Sequence, residues 1–319
     1  MLPIVLPACR SGQAPPVLQP RSGPRPTPHG GSTVRVQIGV NGAARVVALD
    51  LEEYVRRTVG AEIVVSTADA AWAERIYEAQ AMVARTYALA NLGRHADEGF
   101  DLCSTTHCQV LPHTPRPTRW DDVIAAAVDA TQGLVLTYDG RPIRALFHAH
   151  CGGHTSDADV IWPGTPLPYL RGVRDPFCLR ERPAHWTFHI AAATLARALD
   201  GSPGTRVDGR LDGFQVVERD EAGRVLMVAL TGARNDVMRG EELRSAIMRA
   251  EGPASLQSPR YTVRRDGDTF VFEGEGFGHG AGLCQTGMVG RIKAGHTPSD
   301  VLTYYFQGAR LVSLDRLTS

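Results

Sequence analysis

Residues Asp69–Leu92, DAAWAERIYEAQAMVARTYALANL, carry the longest helical signal in the chain. Apolar side chains recur there at steps of three and four residues, and Gly93 follows as a stop signal. The recurring positions are Trp72, Ile76, Ala79, Met82, Val83, Tyr87 and Ala90. We therefore predict one long helix that is mostly buried.

Two strands and a shorter helix are predicted immediately upstream of the long helix. Val34–Val40 and Ala44–Leu49 flank an Asn-Gly turn, which is the pattern of a β-hairpin. Asp50 is placed to cap a helix over Leu51–Val59, and Gly60 is expected to end that helix.

Strands and helices follow one another irregularly downstream of the long helix. Trp120–Thr131 reads as a helix, and strands at Leu134–Tyr138 and Ile143–His148 flank an Asp-Gly turn. Paired strands are expected at Phe214–Val217 and Val225–Leu230. Because the regular alternation of a doubly wound sheet is missing, we predict an α+β fold with mixed helices and antiparallel sheets around a central cleft.

Length and composition indicate a globular protein. The chain has 319 residues, of which 43% are hydrophobic, and this is enough for a substantial core. Its 34 basic residues balance its 34 acidic residues, so nucleic acid is not expected as a partner. No stretch approaches the roughly 18 to 20 consecutive apolar residues of a membrane-spanning helix. We expect the main domain over residues 33–319, with a smaller subdomain at about 187–260.

The first 32 residues are interpreted as a leader and a flexible tether. Leu6-Pro-Ala-Cys9 resembles the lipobox at which bacterial lipoproteins are cleaved and acylated, although no basic residue precedes the short apolar run. The Pro-, Gly-, Ser- and Arg-rich stretch Arg10–Ser32 is typical of a disordered tether in an exported protein. Export to the cell envelope is therefore expected, with Cys9 either lipidated or incidental.

A short segment rich in soft ligands lies after the long helix. Cys103-Ser-Thr-Thr-His107-Cys108 offers two thiols and an imidazole, and His95 or His113 could complete a four-coordinate zinc site. A disulfide between Cys103 and Cys108, or two buried thiols, is the alternative. We favour structural zinc, because His107 adds nothing to a disulfide.

Six blocks of the sequence, taken in order, resemble the SpoIID/LytB domain family. The blocks run from the capped helix to the C-terminal glycine-rich loop. They are Leu51-Glu-Glu-Tyr-Val with Gly60-Ala-Glu62; Glu78-Ala-Gln80-Ala-Met-Val-Ala-Arg85-Thr-Tyr87; Phe100-Asp-Leu-Cys103 through Gln109; Thr131-Gln-Gly133; His148-Ala-His-Cys151-Gly-Gly-His-Thr155; and Gly276-Phe-Gly-His279-Gly-Ala-Gly-Leu-Cys-Gln285.

This resemblance implies a peptidoglycan lytic transglycosylase. Such an enzyme needs one carboxyl group that protonates the glycosidic oxygen and then returns as a base, instead of the two carboxylates of an ordinary glycoside hydrolase. Glu62 occupies the family's catalytic position and is expected to have a raised pKa beside Ile63-Val64. The family usually has Glu-Met-Pro here, so this chain departs from the pattern directly after the carboxyl group.

Five further residues are candidates for glycan binding. On the long helix, Gln80 and Arg85 could hold glycan or orient the catalytic carboxyl, although an arginine there commonly forms an ion pair. His150 precedes a Cys-Gly-Gly turn that is expected to line the cleft, Trp162 suits either sugar stacking or core packing, and His279 lies between two glycines.

Two functions from different classes follow from the resemblance. The first is an exported lyase that cleaves peptidoglycan glycan strands from which the stem peptides have been removed. The second is a non-enzymatic enhancer that binds wall glycan or an N-acetylmuramoyl-L-alanine amidase. A zinc hydrolase is disfavoured, because four protein ligands usually form a closed structural site. Structural zinc is the one cofactor expected, and contact with a membrane is expected only through a lipidated Cys9.

Overall fold

The structure is a computed structural model that describes residues 33–39, 44–66, 69–114, 117–164, 166–181, 184–202 and 204–317. The predicted leader and tether, with Cys9, lie outside the described residues. The described chain forms two compact units. The first unit comprises the residues up to Phe147 and from Met288 onward, and the second comprises His148 to Gly287.

The N-terminal part of the first unit contains three helices and short strands. In chain order these are β1 (Thr33–Ile38), β2 (Arg45–Asp50), α1 (Leu51–Glu62), α2 (Ala70–Ala90), a 3₁₀ turn (Ala96–Glu98), β3 (Leu102–Cys103), α3 (Asp121–Ala130), β4 (Leu134–Tyr138) and β5 (Arg141–Pro142). Strand β1 pairs antiparallel with β2 and parallel with β3, whereas β4 pairs antiparallel with β5.

The second unit contains two antiparallel three-stranded sheets and several helices. Its elements are β6 (Phe147–His148, at the join), α4 (Ala158–Ile161), α5 (Pro176–Glu181), β7 (His185–Ala191), α6 (Ala192–Asp200), β8 (Leu211–Arg219), β9 (Val225–Gly232), β10 (Asp236–Arg239), α7 (Gly240–Glu251), β11 (Tyr261–Asp266), β12 (Thr269–Glu275) and β13 (Leu283–Cys284). One sheet has the order β10-β9-β8 and the other β11-β12-β7. Their apolar faces share a hydrophobic core with α6 and α7.

The chain then returns to the first unit through its last helices and strand. These are α8 (Gln285–Lys293), α9 (Pro298–Tyr305), β14 (Arg310–Ser313) and a 3₁₀ turn (Leu314–Arg316). Strand β14 pairs antiparallel with β4, and α9 packs against α2. The predicted α+β class with antiparallel sheets is confirmed. The subdomain at about 187–260 stays a prediction. Among the described residues, no helix has the length and apolar character needed to cross a membrane.

The predicted long helix is confirmed as α2. Asp69 caps it, because its Oδ1 accepts hydrogen bonds from the backbone N–H groups of Ala71 and Trp72 at 2.9 and 3.2 Å. The helix packs against α1, α3, β4 and α9, so almost every side chain from Ile76 to Leu89 is buried. Trp72 differs from the expectation, because it lies in the first turn and is 38% exposed.

Two boundaries differ from those that the sequence predicts. Helix α1 does not end at Gly60 but continues to Glu62. Gly60 instead allows α3 to approach closely, because a Cβ there would lie 3.2 Å from Ile124 Cδ1. The strand expected at Ile143–His148 is broken. The Ile143 N–H still donates to the Leu136 carbonyl of β4 at 3.1 Å, and the backbone then closes two tight turns, from Ala145 N–H to the Ile143 carbonyl and from Leu146 N–H to the Arg144 carbonyl.

A buried ion pair joins α1 and α2. The Arg85 guanidinium is fully buried and donates to both carboxylate oxygens of Glu52, at 2.8 and 2.6 Å. It also donates to the carbonyl oxygens of Leu134 and Val128, at 3.1 and 3.5 Å. One side chain therefore links α2 to α1, to β4 and to the end of α3.

We predict that Arg85→Met lowers the free energy of unfolding by about 3 kcal/mol, because the substitution leaves the mostly buried Glu52 carboxylate without its cation. Urea denaturation of the purified chain measures this loss. The matched control is Arg56→Met on α1, whose ion pairs with Glu53 and Asp129 are exposed, so less than about 1 kcal/mol is expected. Equal losses in the two variants would contradict the assigned importance of the buried pair.

Candidate active site and thiol–imidazole cluster

Glu62 is the last residue of α1, where the backbone turns from helix into the extended conformation of Ile63. The Val110 backbone N–H donates to Glu62 Oε1 at 2.5 Å. The next residues alternate between core and solvent, since Ile63 and Val65 are buried and Val64 is 88% exposed. The carboxyl group is therefore held at the edge of the first unit by a helix end on one side and a loop amide on the other.

The environment of Glu62 favours its protonated form. Burial of the carboxyl among protein atoms raises its pKa from 4.5 to about 7, and the hydrogen bond from Val110 opposes this only in part. The residue as a whole keeps partial contact with solvent. A carboxyl group with a pKa near neutrality can give up a proton and take one back at physiological pH, as general acid–base catalysis requires.

Two buried tyrosines lie close to this carboxyl. Burial raises the pKa of Tyr54 and of Tyr87, and the negative charge of Glu62 raises both further. The Tyr54 hydroxyl donates to Gln109 Oε1 at 2.9 Å, and Arg94 Nη1 donates to the Tyr87 hydroxyl at 3.2 Å. Both phenols therefore stay neutral near Glu62 at physiological pH.

The soft ligands found in the sequence come together in the first unit. The ligand atoms of His95, Cys103, His107 and Cys108 all lie within 4.8 Å of one another. His95 Nε2 lies 3.4 Å from Cys108 Sγ, and His107 Nδ1 lies 3.6 Å from Cys103 Sγ. Both thiols are free.

The fourth member of this thiol–imidazole cluster is His95. His113, which the sequence left open, is exposed and is not in the cluster. His95 Nδ1 lies 2.6 Å from Glu98 Oε1, so an Nδ1–H donated to this carboxylate leaves the Nε2 lone pair facing the sulfurs. Two thiols and two imidazoles are the donor set of many structural zinc sites.

The cluster and the Glu62 site share one loop. Val110, the hydrogen-bond donor to Glu62, follows Cys108 by two residues, and Gln109 between them is fully buried. Arg94 approaches the cluster as well, with Nη2 3.4 Å from His107 Nε2. Ordering of the Cys103–Cys108 segment therefore fixes the amide that faces the carboxyl group.

The structure gives Gln80 and Arg85 positions different from those expected of glycan ligands. Both side chains are fully buried inside α2. The Arg85 guanidinium already donates hydrogen bonds to Glu52 and to two carbonyl oxygens. Contact with a sugar would therefore require this buried ion pair to break. We correct the role of Arg85 from substrate contact to support of α1, and the burial of Gln80 likewise places it in the core.

In the second unit, Trp162 and His279 lie together. Their rings are 5.1 Å apart between centroids, and the His148 ring lies 5.4 Å from that of His279. His150, which the sequence also predicts to bind glycan, does not join them. It is buried, and its Nδ1 accepts a hydrogen bond from the Gly152 N–H at 3.0 Å. Buried His150 therefore has no open face for a sugar.

Hydrogen bonds set the protonation of the two neighbouring histidines. His279 Nδ1 accepts from the Ala281 N–H at 3.1 Å, so its neutral ring carries the proton on Nε2. His148 Nδ1 lies 3.1 Å from the Ala281 carbonyl oxygen and must donate to it. Burial lowers the pKa of His148, and among the described residues its Nε2 has no hydrogen-bond partner. His148 thus presents a buried acceptor beside Trp162 and His279.

Several residues close to Glu62 and His279 are not predicted as site residues from the sequence. Tyr54, Gln109 and Val110 contact or surround Glu62, and His148 accompanies His279. The sequence marks these residues only by their closeness to a motif: Gln109-Val110 directly follows the Cys/His segment, and His148 begins the block that contains His150.

Comparison with known proteins identifies related sequences. Residues 40–138 match the model of the Stage II sporulation protein family (SpoIID), and residues 180–282 match a domain of unknown function (DUF8618). The chain is 28% identical to Stage II sporulation protein D of Bacillus subtilis over 84% of this chain and 76% of that protein. It is 26% identical to the protein of the same name from Bacillus amyloliquefaciens, over 85% and 76%.

A relative with a different name matches as well. The amidase enhancer of Bacillus subtilis is 25% identical over 76% of this chain, which spans 39% of that protein.

Glu62→Gln is expected to change the pH dependence of stability. The raised pKa of Glu62 means that the folded chain binds a proton that the unfolded chain releases between about pH 4.5 and pH 7. The stabilising contribution of the protonated group is fully present below pH 4.5 and is lost as the pH rises through 7. Relative to Glu62→Gln, the wild type should therefore lose about 1–3 kcal/mol of unfolding free energy between pH 4.5 and pH 8.

Urea denaturation of both proteins at these two pH values measures the effect. Glu53→Gln serves as the control, because it removes an exposed carboxylate from the same helix. A difference between the wild type and Glu62→Gln that stays constant with pH would contradict the raised pKa.

Proposed function

We propose a function from the premise that this chain belongs to the SpoIID/LytB family, whose members have a cell-wall related function. The proposed activity is that of a peptidoglycan lytic transglycosylase, with Glu62 as its acid and base. The observation that carries the proposal is the carboxyl group at the end of α1, whose pKa burial raises to about 7. About half of such groups are protonated at neutral pH, so either form is available.

The proposed reaction uses one carboxyl group twice. Protonated Glu62 gives its proton to the glycosidic oxygen that follows an N-acetylmuramic acid, and the bond from that oxygen to C1 breaks. The 6-hydroxyl of the same sugar then bonds to C1 and loses its proton to the Glu62 carboxylate. Glu62 ends as it began, and the product carries a 1,6-anhydro ring formed without water.

The second unit supplies side chains suited to a sugar. We propose that Trp162 packs against a sugar ring and that His279 donates from Nε2 to a sugar oxygen. Because wall glycan lies outside the cytoplasm, this function requires export to the cell envelope.

We further propose that the thiol–imidazole cluster holds structural zinc. Zinc has four protein ligands in this arrangement and no open position, so its role is to fold the loop. Coordination by His107 Nδ1 puts that ring's proton on Nε2, so the 3.4 Å contact from Arg94 must lengthen when the metal binds. The bound loop would then hold the Val110 N–H against Glu62.

A non-enzymatic enhancer is the second candidate. The match to the amidase enhancer supports it. In this alternative the chain binds wall glycan or an amidase, and Glu62 takes no part in chemistry.

Glu62→Gln is expected to abolish the formation of anhydro-muramyl ends, because an amide cannot donate a proton as an acid does. The assay incubates purified full-length chain with peptide-free peptidoglycan glycan and identifies the ends of the products by mass spectrometry. The matched control is Glu53→Gln, an exposed carboxylate on the same helix, which should keep wild-type activity.

Other products would point elsewhere. Reducing ends would show hydrolysis instead of transglycosylation. No cleavage by the wild type, together with equal stimulation of an added amidase by the wild type and Glu62→Gln, would replace the lyase by the enhancer.

Glu98→Gln is expected to weaken zinc binding at the cluster about 10- to 100-fold, because Glu98 orients the His95 ring through Nδ1. Competition with a zinc indicator measures the affinity. Asp97→Asn is the matched control, since it neutralises the adjacent exposed carboxylate of the same 3₁₀ turn and should leave the affinity unchanged. Equal affinities for both variants would remove Glu98 from the site.

A further inference from the structure

The second unit holds a group of four buried side chains that the activity proposed above does not use. Cys151 follows β6, Asp175 and Cys178 lie at the start of α5, and Cys284 ends β13. All four are completely buried, and their ligand atoms lie within 4.8 Å of one another. We call this group the three-cysteine cluster.

Distances within the three-cysteine cluster match those around a tetrahedral metal ion. Cys178 Sγ lies 3.5 Å from Cys284 Sγ, and Cys151 Sγ lies 3.5 Å from Asp175 Oδ2. Zinc–sulfur bonds of about 2.3 Å at tetrahedral angles put two sulfur ligands about 3.8 Å apart. Small movements of the side chains would therefore suffice to coordinate one ion.

Backbone amides face the sulfur atoms as they do in thiolate metal sites. Cys284 Sγ accepts from the N–H groups of Cys151 and Gly287, at 3.2 and 3.4 Å. Cys151 Sγ accepts from the Gly153 N–H at 3.3 Å. Donors of this kind stabilise the negative charge of thiolate ligands.

Two basic side chains complete the surroundings. His150 hydrogen-bonds to Cys178. Because His150 Nδ1 accepts from Gly152, the proton that faces sulfur is on Nε2. The buried Arg224 donates to the Cys151 carbonyl oxygen at 2.6 Å. His150, expected from the sequence to bind glycan, is thus placed to orient a ligand.

We propose that Cys151, Cys178, Cys284 and Asp175 form a second zinc site, separate from the thiol–imidazole cluster. Neutral thiols are buried at little cost, but three thiolates beside the buried Asp175 carboxylate are stable only with a cation among them. Soft thiolate ligands select zinc over magnesium or calcium. Four protein ligands make the site closed, so its zinc is structural and its binding releases the thiol protons.

The site would connect parts of the second unit that are far apart in sequence. It would join the Cys-Gly-Gly turn at Cys151, the start of α5 and the end of β13. Each of two cluster cysteines also closely follows a histidine that lies near Trp162: Cys151 follows His148, and Cys284 follows His279. Bound zinc would therefore hold in place the segments that carry these rings.

The decisive experiment removes the other cluster and leaves this one intact. The full-length Cys103→Ser/Cys108→Ser variant is produced with zinc under reducing conditions, freed of excess metal and analysed for zinc content and X-ray absorption. We expect about one zinc per chain, with three sulfur neighbours at about 2.3 Å and one oxygen. The wild type should hold about two zinc ions, with between two and three sulfur neighbours on average.

Each other outcome overturns the proposal. A folded variant without zinc would do so, and so would a peptide map that finds a disulfide between two of Cys151, Cys178 and Cys284. If the variant does not fold, the wild type decides: one zinc with only two sulfur neighbours places the metal in the thiol–imidazole cluster alone. Cys178→Ser in the wild-type background should lose one zinc, and retention of both would equally reject the site.

Discussion

The buried ion pair between Arg85 and Glu52 is the interaction on which the position of the catalytic candidate depends. A guanidinium that has left water needs a partner for each donor, and Glu52 and the carbonyl groups of Leu134 and Val128 supply them. These contacts fix α1 against α2, α3 and β4. Glu62 ends α1, so the orientation of its carboxyl group follows from contacts made ten residues earlier.

Two opposing effects act on that carboxyl group, and burial is the stronger. The Val110 N–H favours the carboxylate, yet crowding by protein atoms raises the pKa to about 7. The amide comes from the loop that also carries Cys103, His107 and Cys108. The position of this one segment therefore sets both the arrangement of these side chains and the hydrogen bond to the acid.

Two histidines of the second unit are equally buried but contact different groups. His148 and His150 are two positions apart, and both are buried. His148 lies beside His279, whereas His150 faces the sulfur of Cys178. In an extended segment, side chains two apart normally share a face, yet these two rings have different neighbours.

Elements and groups with local signals can be predicted from the sequence. Helix α2 follows from apolar periodicity, its start from Asp69, and the thiol–imidazole cluster from ligands within fourteen residues, His95 to Cys108. Other contacts exist only because distant segments pack together: Arg85 supports α1, Val110 faces Glu62, and Cys151, Cys178 and Cys284 meet. These partners are 27 to 133 residues apart, and such distant pairing depends on how the helices and sheets pack, which no local pattern encodes.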